Sequence, residues 1–286
     1  MTIRRTIARI AALEELNFLL TNRIPRRLAT RFIGWFGKIE RPWVARPSIF
    51  VWRLFSDVDL ADAATSHFPS MHACFTRSLR PGARDFGAAG DGIASPCDAV
   101  IGAHGPIRGD ELHQIKDAPY RLSDLLGSAD AARAMEGGLF VTLRLTAGMY
   151  HHFHAPCDLV VERVTYISGD CWNVNTPALK RVARLYCRNE RAAIHCRLPD
   201  GRALVLVAVA AVLVASIRLT FLDTERAIRA GGPRTISLDH PVRRGEDMGW
   251  FEHGSTIVML LPEGAELDAN VADGLRIRAG VILTGK

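Results

Sequence analysis

The apolar run Ala203 to Ile217, ALVLVAVAAVLVASI, constrains this chain more than any other segment. Its fifteen residues fall short of the roughly 20 that a membrane-spanning helix needs. Its valines favour buried strands over a helix, although periodicity alone does not separate the two, and the run is read as core. Shorter β-branched runs surround it in sequence: Ala99 to Ile101, Leu139 to Leu145, Leu159 to Ile167, Ala192 to Cys196, Thr256 to Leu261 and Leu275 to Leu283. Turn signals separate them, as at Ser168-Gly169-Asp170, Pro199-Asp200-Gly201 and Gly231-Gly232-Pro233. The expected fold class is therefore α+β, with N-terminal amphipathic helices followed by a β-rich, mainly antiparallel core that keeps a few helices such as Leu122 to Gly127. At 286 residues and 48% hydrophobic content, one core domain with an appendage is the simplest organisation.

The appendage is marked by charge. Residues 1–56 hold eleven Arg and Lys against Glu14, Glu15 and Glu40, which gives +8 in a chain whose total is +6 and leaves the remainder at −2. That balance does not call for nucleic acid. Ile3 to Asn22 and Arg26 to Phe36 place apolar residues at helical spacing between the charges, with Phe18, Phe32, Trp35, Phe36, Trp43, Trp52 and Phe55 within or just beyond them. Such a segment suits a membrane interface, with cations over anionic headgroups and aromatics at the boundary. It equally suits a helical arm packed on the core with a solvated basic face. Leu13 to Leu20 is too short, and too interrupted by Glu14 and Glu15, for a signal peptide. The six cysteines form no CxxC pair and are read as buried thiols in a reducing cytoplasm.

Two segments concentrate reactive groups. Tyr150-His151-His152-Phe153-His154-Ala155-Pro156 sets three histidines within four positions, and Met248 to Leu261, MGWFEHGSTIVMLL, sets Gly-Ser-Thr ahead of an apolar strand. Taken singly, a histidine cluster can be a zinc site and a Gly-Ser pair is usually a turn. No HExxH or similar spacing supports a metal, and Pro156 opposes a helix through the histidines.

Together the two segments resemble the phosphatidylserine decarboxylase family. CFTRSLRPGAR (Cys74 to Arg84), SPCDAVI (Ser95 to Ile101), IKDAPYRLSDLLG (Ile115 to Gly127), GDCWNVN (Gly169 to Asn175) and RNER (Arg188 to Arg191) follow in the family's order. The resemblance implies a carboxy-lyase made as a proenzyme that cuts itself between Gly254 and Ser255 into a β chain, 1–254, and an α chain, 255–286. It implies that Ser255 attacks the Gly254 carbonyl, that His154 is the base, and that Asp98 orients it. It further implies that Ser255 becomes an N-terminal pyruvoyl group, the covalent cofactor, which would form a Schiff base with phosphatidylserine on the way to phosphatidylethanolamine. His151 is the expected proton donor to the substrate carbon; His152, Lys116 and Glu190 receive no role, the latter two being read as surface charges. The implied organisation is a membrane-associating arm, 1–56, on a catalytic core, 57–286, at the cytoplasmic side of the cell membrane, with anionic phospholipid as partner and a homodimer as the family suggests. His253 before the Gly-Ser, Ala99 in the Ser-Pro-x-Asp element, Ala147-Gly148-Met149, and the alanines of 208–217 depart from the family pattern. The rival expectations are a pyruvoyl decarboxylase of a free amino acid and an uncleaved relative that only binds acidic lipid.

Overall fold

The computed structural model describes residues 15, 18, 25–88, 92–114, 118–211, 217–224, 234–252, 255–269 and 271–285. Most of the helix expected over Ile3 to Asn22 lies outside these, as do Lys116, His253 and Gly254; Glu15 and Phe18 are helical. Helix α1 (Arg26–Gly37) realises the second expected amphipathic stretch, and α2 (Pro42–Phe55) follows it. Pro42 and Pro47 hide α2 in the sequence. The first stands at the helix start, where a missing N–H costs nothing, and the second forgoes one intrahelical bond. A short α3 (Met71–Phe75), capped by the Ser70 hydroxyl accepting from the Ala73 amide at 3.1 Å, leads into the core.

The core is a mainly antiparallel sheet with strands β1 (Ala99–Pro106), β4 (Leu139–Leu145), β6 (Leu159–Ile167), β7 (Arg191–Arg197), β8 (Ala203–Ala210), β10 (Arg234–Val242), β12 (Ser255–Leu261) and β13 (Arg276–Ile277). Their order across the sheet is β10-β6-β7-β8-β12-β4-β1-β13. A second sheet, in the order β5-β11-β9, joins β5 (His152–His154), β11 (Asp247–Phe251) and β9 (Ile217–Leu219). A β2 (Glu111–His113) and β3 (Pro119–Arg121) hairpin precedes α4 (Leu122–Leu126) and α5 (Ala129–Arg133); α6 (Thr176–Arg181) and α7 (Leu185–Arg188) follow β6.

The large sheet is covered on both faces. Ile257, Met259 and Leu261 pack with Phe153, Ile217, Met248 and Phe251 of the small sheet. Val258 and Leu260, pointing the other way, pack with Leu122, Leu125, Leu179 and Leu185 of the helical layer. A strand buried on both sides reads as an unbroken apolar run, which is why β8 and β12 lack alternation. The expected run Leu275 to Leu283 yields only the two residues of β13. There the chain turns at Gly280, with φ +93°, and the Ala279 amide is committed to the Asp98 carboxylate.

Candidate active site

Ser255 opens β12, paired with Leu145 of β4 on one side and Ala210 of β8 on the other. It is wholly buried, and its hydroxyl has no hydrogen-bond partner among the described residues. Leaving a buried hydroxyl unpaired costs about 1–3 kcal/mol, a cost that calls for an explanation in chemistry.

His152 and His154 reach this end of the sheet on β5, directly after His151, and β5 is clamped to β11 by the pairs Asp247↔His154 and Trp250↔His152. Gly249 makes the small sheet possible, because a Cβ at its φ of +155° would collide with the Arg218 carbonyl of β9. The His151 carbonyl accepts from the Phe251 amide at 3.0 Å, four residues ahead of Ser255. The His151 ring is fully buried and stacks on Phe75, centroids 3.9 Å apart. His154 donates from Nδ1 to the Gly245 carbonyl at 3.0 Å, which leaves the Nε2 lone pair to accept from the Tyr150 hydroxyl at 3.1 Å. Its backbone N–H donates to the Pro96 carbonyl at 2.8 Å, which sets His154 beside the segment that carries Asp98.

Burial lowers the His154 pKa from its ordinary value, while the Asp247 charge and the bond to Gly245 push the other way. Replacing Asp247 by Asn removes the larger opposing influence, so the His154 pKa is expected to fall further. Titration of that ring by NMR in the Ser255→Ala precursor reads the shift, and a rise would contradict the assignment.

The structure of the uncut chain does not pair Asp98 with His154. Arg84 holds the carboxylate in a two-pronged ion pair, Nε to Oδ1 at 2.7 Å and NH2 to Oδ2 at 2.6 Å, and the Ala279 amide adds a bond of 2.9 Å. The carboxylate that does grip a histidine is Asp247, whose Oδ2 lies 2.7 Å from His152 Nδ1. His152 Nε2 faces the Thr76 carbonyl at 3.2 Å, and its ring is stacked between Tyr150 and Trp250. His152 is therefore part of the site's framework. Nor is Glu190 a surface charge: its Oε1 is buried beside Tyr166, and burial raises its pKa. The Ala210 amide donates to the Glu190 carbonyl, one strand spacing from the Ser255 pair. A cavity of about 560 Å³ opens onto Asp98 and Tyr150, with Arg77, Arg84, Met149 and Arg278 among its walls. Among the described residues no group of three or more His, Cys, Asp or Glu could hold a metal ion, and all six cysteines are free thiols.

A buried serine opening a strand, with imidazoles and a held carboxylate gathered at the same end of the sheet, supplies the kinds of group that nucleophilic serine chemistry uses, on an α+β architecture. The chain belongs to the phosphatidylserine decarboxylase family, whose model matches residues 71–284, and it is accordingly a decarboxylase. It is 32% identical over 269 residues to a phosphatidylserine decarboxylase proenzyme of Methylococcus capsulatus, covering 91% of this chain and 93% of that one. Proenzymes of the same description from Alcanivorax borkumensis and Saccharophagus degradans are 32% and 31% identical, each over close to nine-tenths of both chains.

Proposed function

We propose that the chain cuts itself between Gly254 and Ser255, converts Ser255 into a pyruvoyl group, and decarboxylates phosphatidylserine to phosphatidylethanolamine. The observation that carries this reading is the Ser255 hydroxyl, fully buried and without a partner among the described residues, at the first position of a central strand. In the cut, Ser255 Oγ bonds to the Gly254 carbonyl carbon as the peptide C–N bond breaks, which leaves an ester and a free amine. His154 is the base for the hydroxyl proton, its Nε2 lone pair already oriented by the bond from Nδ1 to Gly245. To act, Nε2 exchanges the Tyr150 hydroxyl for that of Ser255. Removal of the Ser255 Cα proton then expels Gly254 as a carboxylate, and water replaces the nitrogen of the resulting dehydroalanine, releasing ammonia and leaving a ketone.

That ketone supplies the electron sink which no ordinary side chain offers. The chain's own residues do the rest. Asp98, fixed by Arg84, holds the end of β1 and the 276–279 segment together at the mouth of the cavity that would admit the headgroup. His151, shielded by Phe75, delivers a proton to the substrate carbon once carbon dioxide has left. The two pieces stay associated after the cut, because β12 is hydrogen-bonded to β4 and β8 along nearly its whole length and both neighbours belong to the other piece.

The arm supports peripheral attachment to the cytoplasmic face of the cell membrane. Leu28, Phe32, Trp35, Trp43, Phe50 and Phe55 of α1 and α2 are 58–76% exposed, an apolar surface of the kind that marks an interaction site. Arg41, Arg46 and Arg53 accompany it in sequence, and an anionic lipid surface satisfies both features. No helix among the described residues is long and apolar enough to cross a membrane. Intact-mass measurement of the denatured protein tests the cut: two pieces are expected, the smaller beginning at residue 255 with a carbonyl in place of its amine. Co-sedimentation with phosphatidylserine vesicles tests the arm. The full chain is expected to bind and a Trp35→Ala/Trp43→Ala double variant to bind more weakly; negligible binding by both would sink the lipid reading in favour of a free amino acid.

A further inference from the structure

We infer that Glu252 is a positioning residue for self-cleavage, a clamp that ties the segment entering the scissile bond to β9 and to the N-terminal helices. Glu252 directly follows β11 and stands three residues before Ser255. Its carboxylate is 14% exposed and meets cations or imidazole from three separate elements. Oε1 accepts from Arg218 Nε of β9 at 3.2 Å and lies 3.6 Å from His72 Nε2 of α3; Oε2 lies 3.7 Å from Lys38 Nζ, just beyond α1. Phe75 of the same α3 stacks on His151, and Trp52 of α2 packs on Phe75 with ring centroids 5.6 Å apart. One five-residue helix therefore touches both the imidazole proposed to protonate substrate and the residue that follows β11 on the way to the cut.

Internal attack by a hydroxyl on its own preceding carbonyl depends on a near-attack geometry, and a displacement of about 1 Å costs on the order of a hundredfold in rate. Between β11 and β12 the chain passes from the small sheet to the large one. Arg218 already shares the β9–β11 ladder through its pairing with Trp250, so the side-chain bond to Glu252 extends that registry past the end of the strand. A hydrogen bond between ionised groups, such as the one from Arg218, is about twice as strong as a neutral one and holds direction better, which suits a carboxylate that is largely enclosed. The contacts from Lys38 and His72 make the rate of the cut answerable to the placement of the helices that carry the exposed aromatic face.

The inference rests on the self-cleavage reading, and its test separates the two. Glu252→Gln, Glu252→Asp and Arg218→Gln are made in the full chain, and the fraction cut is followed by intact mass after synthesis in a cell-free system. The thermal midpoint of each is measured in the uncut Ser255→Ala background. Glu252→Gln and Arg218→Gln are expected to slow the cut by about tenfold or more, Glu252→Asp to stay within about threefold of the parent, and the midpoints to move by less than ~3 °C. Equal rates for the parent and Glu252→Gln overturn the inference, as does a slowing matched by loss of folded precursor or one that Asp does not relieve. If the parent itself is never cut, the self-cleavage reading fails first and takes this inference with it.

Discussion

Ser255→Ala is expected to yield one uncut chain of 286 residues with no decarboxylase activity, folded at least as well as the parent precursor. The chemical loss is complete, because the hydroxyl is both the attacking group and, once acylated, the leaving group whose elimination makes the dehydroalanine that hydrolyses to the ketone, and the described residues place no second hydroxyl in that backbone position. The structural effect runs the other way. Most polar-to-Ala changes in a core strand a partner, but the Ser255 hydroxyl has none among the described residues, so its removal relieves an unpaired buried group instead of creating one. The expected gain is about 1 kcal/mol, seen as a raised midpoint in thermal or denaturant unfolding. Loss of activity together with unchanged or raised stability assigns the residue to chemistry. A cut chain in this variant would remove Ser255 from the mechanism altogether.

How much of this was legible in the sequence depends on which forces set each feature. β4 and β6 coincide with their expected apolar runs because each strand's core contacts are written in its own side chains. β10 was not visible, since it lies at the sheet edge with most of Arg234–Val242 exposed and a proline within it, and it reads as a polar loop. The candidate site divides in the same way. Asp98, His151, His154 and Ser255 come from ordered motifs, and the fold brings them to one end of the large sheet. Their partners were not readable: Arg84 reaches Asp98 across 14 residues, Asp247 reaches His152 across 95, and Gly245 reaches His154 across 91. No periodicity encodes those approaches, which arise from the clamping of β5 against β11. The burial of Glu190 is likewise a tertiary fact, because a charged residue beside Arg188 and Arg191 reads as surface until β6 is laid against β7. Arg191 itself is turned inward, bonded to the carbonyls of Leu125, Asp124 and Cys187.

His151 and His154 are expected to separate cleanly by mutation. His154→Ala should block the cut, and with it all later chemistry, because no other imidazole in the segment has an oriented and accessible lone pair: both His152 nitrogens face oxygen acceptors, and His151 is sealed beneath Phe75. His151→Ala should allow at least some cleavage and lower decarboxylation of the cut protein by about 10²–10⁴-fold, the usual contribution of a positioned acid or base. Truncating His151 removes its stacking contact with Phe75, so His151→Gln, closer in volume, is the companion variant. It should also be cut and also turn over slowly, since an amide fills the space but does not exchange a proton near neutral pH. Both quantities come from one preparation, the cut fraction by intact mass and the turnover by carbon dioxide release per pyruvoyl end. If His151→Ala and His151→Gln matched the parent in both, the proton would come from elsewhere, and Glu190, whose pKa burial raises, would be the next group to test. If His154→Ala were still cut, the orientation of Nε2 by Gly245 would have no part in processing, and the base would have to be sought among the groups around Asp98.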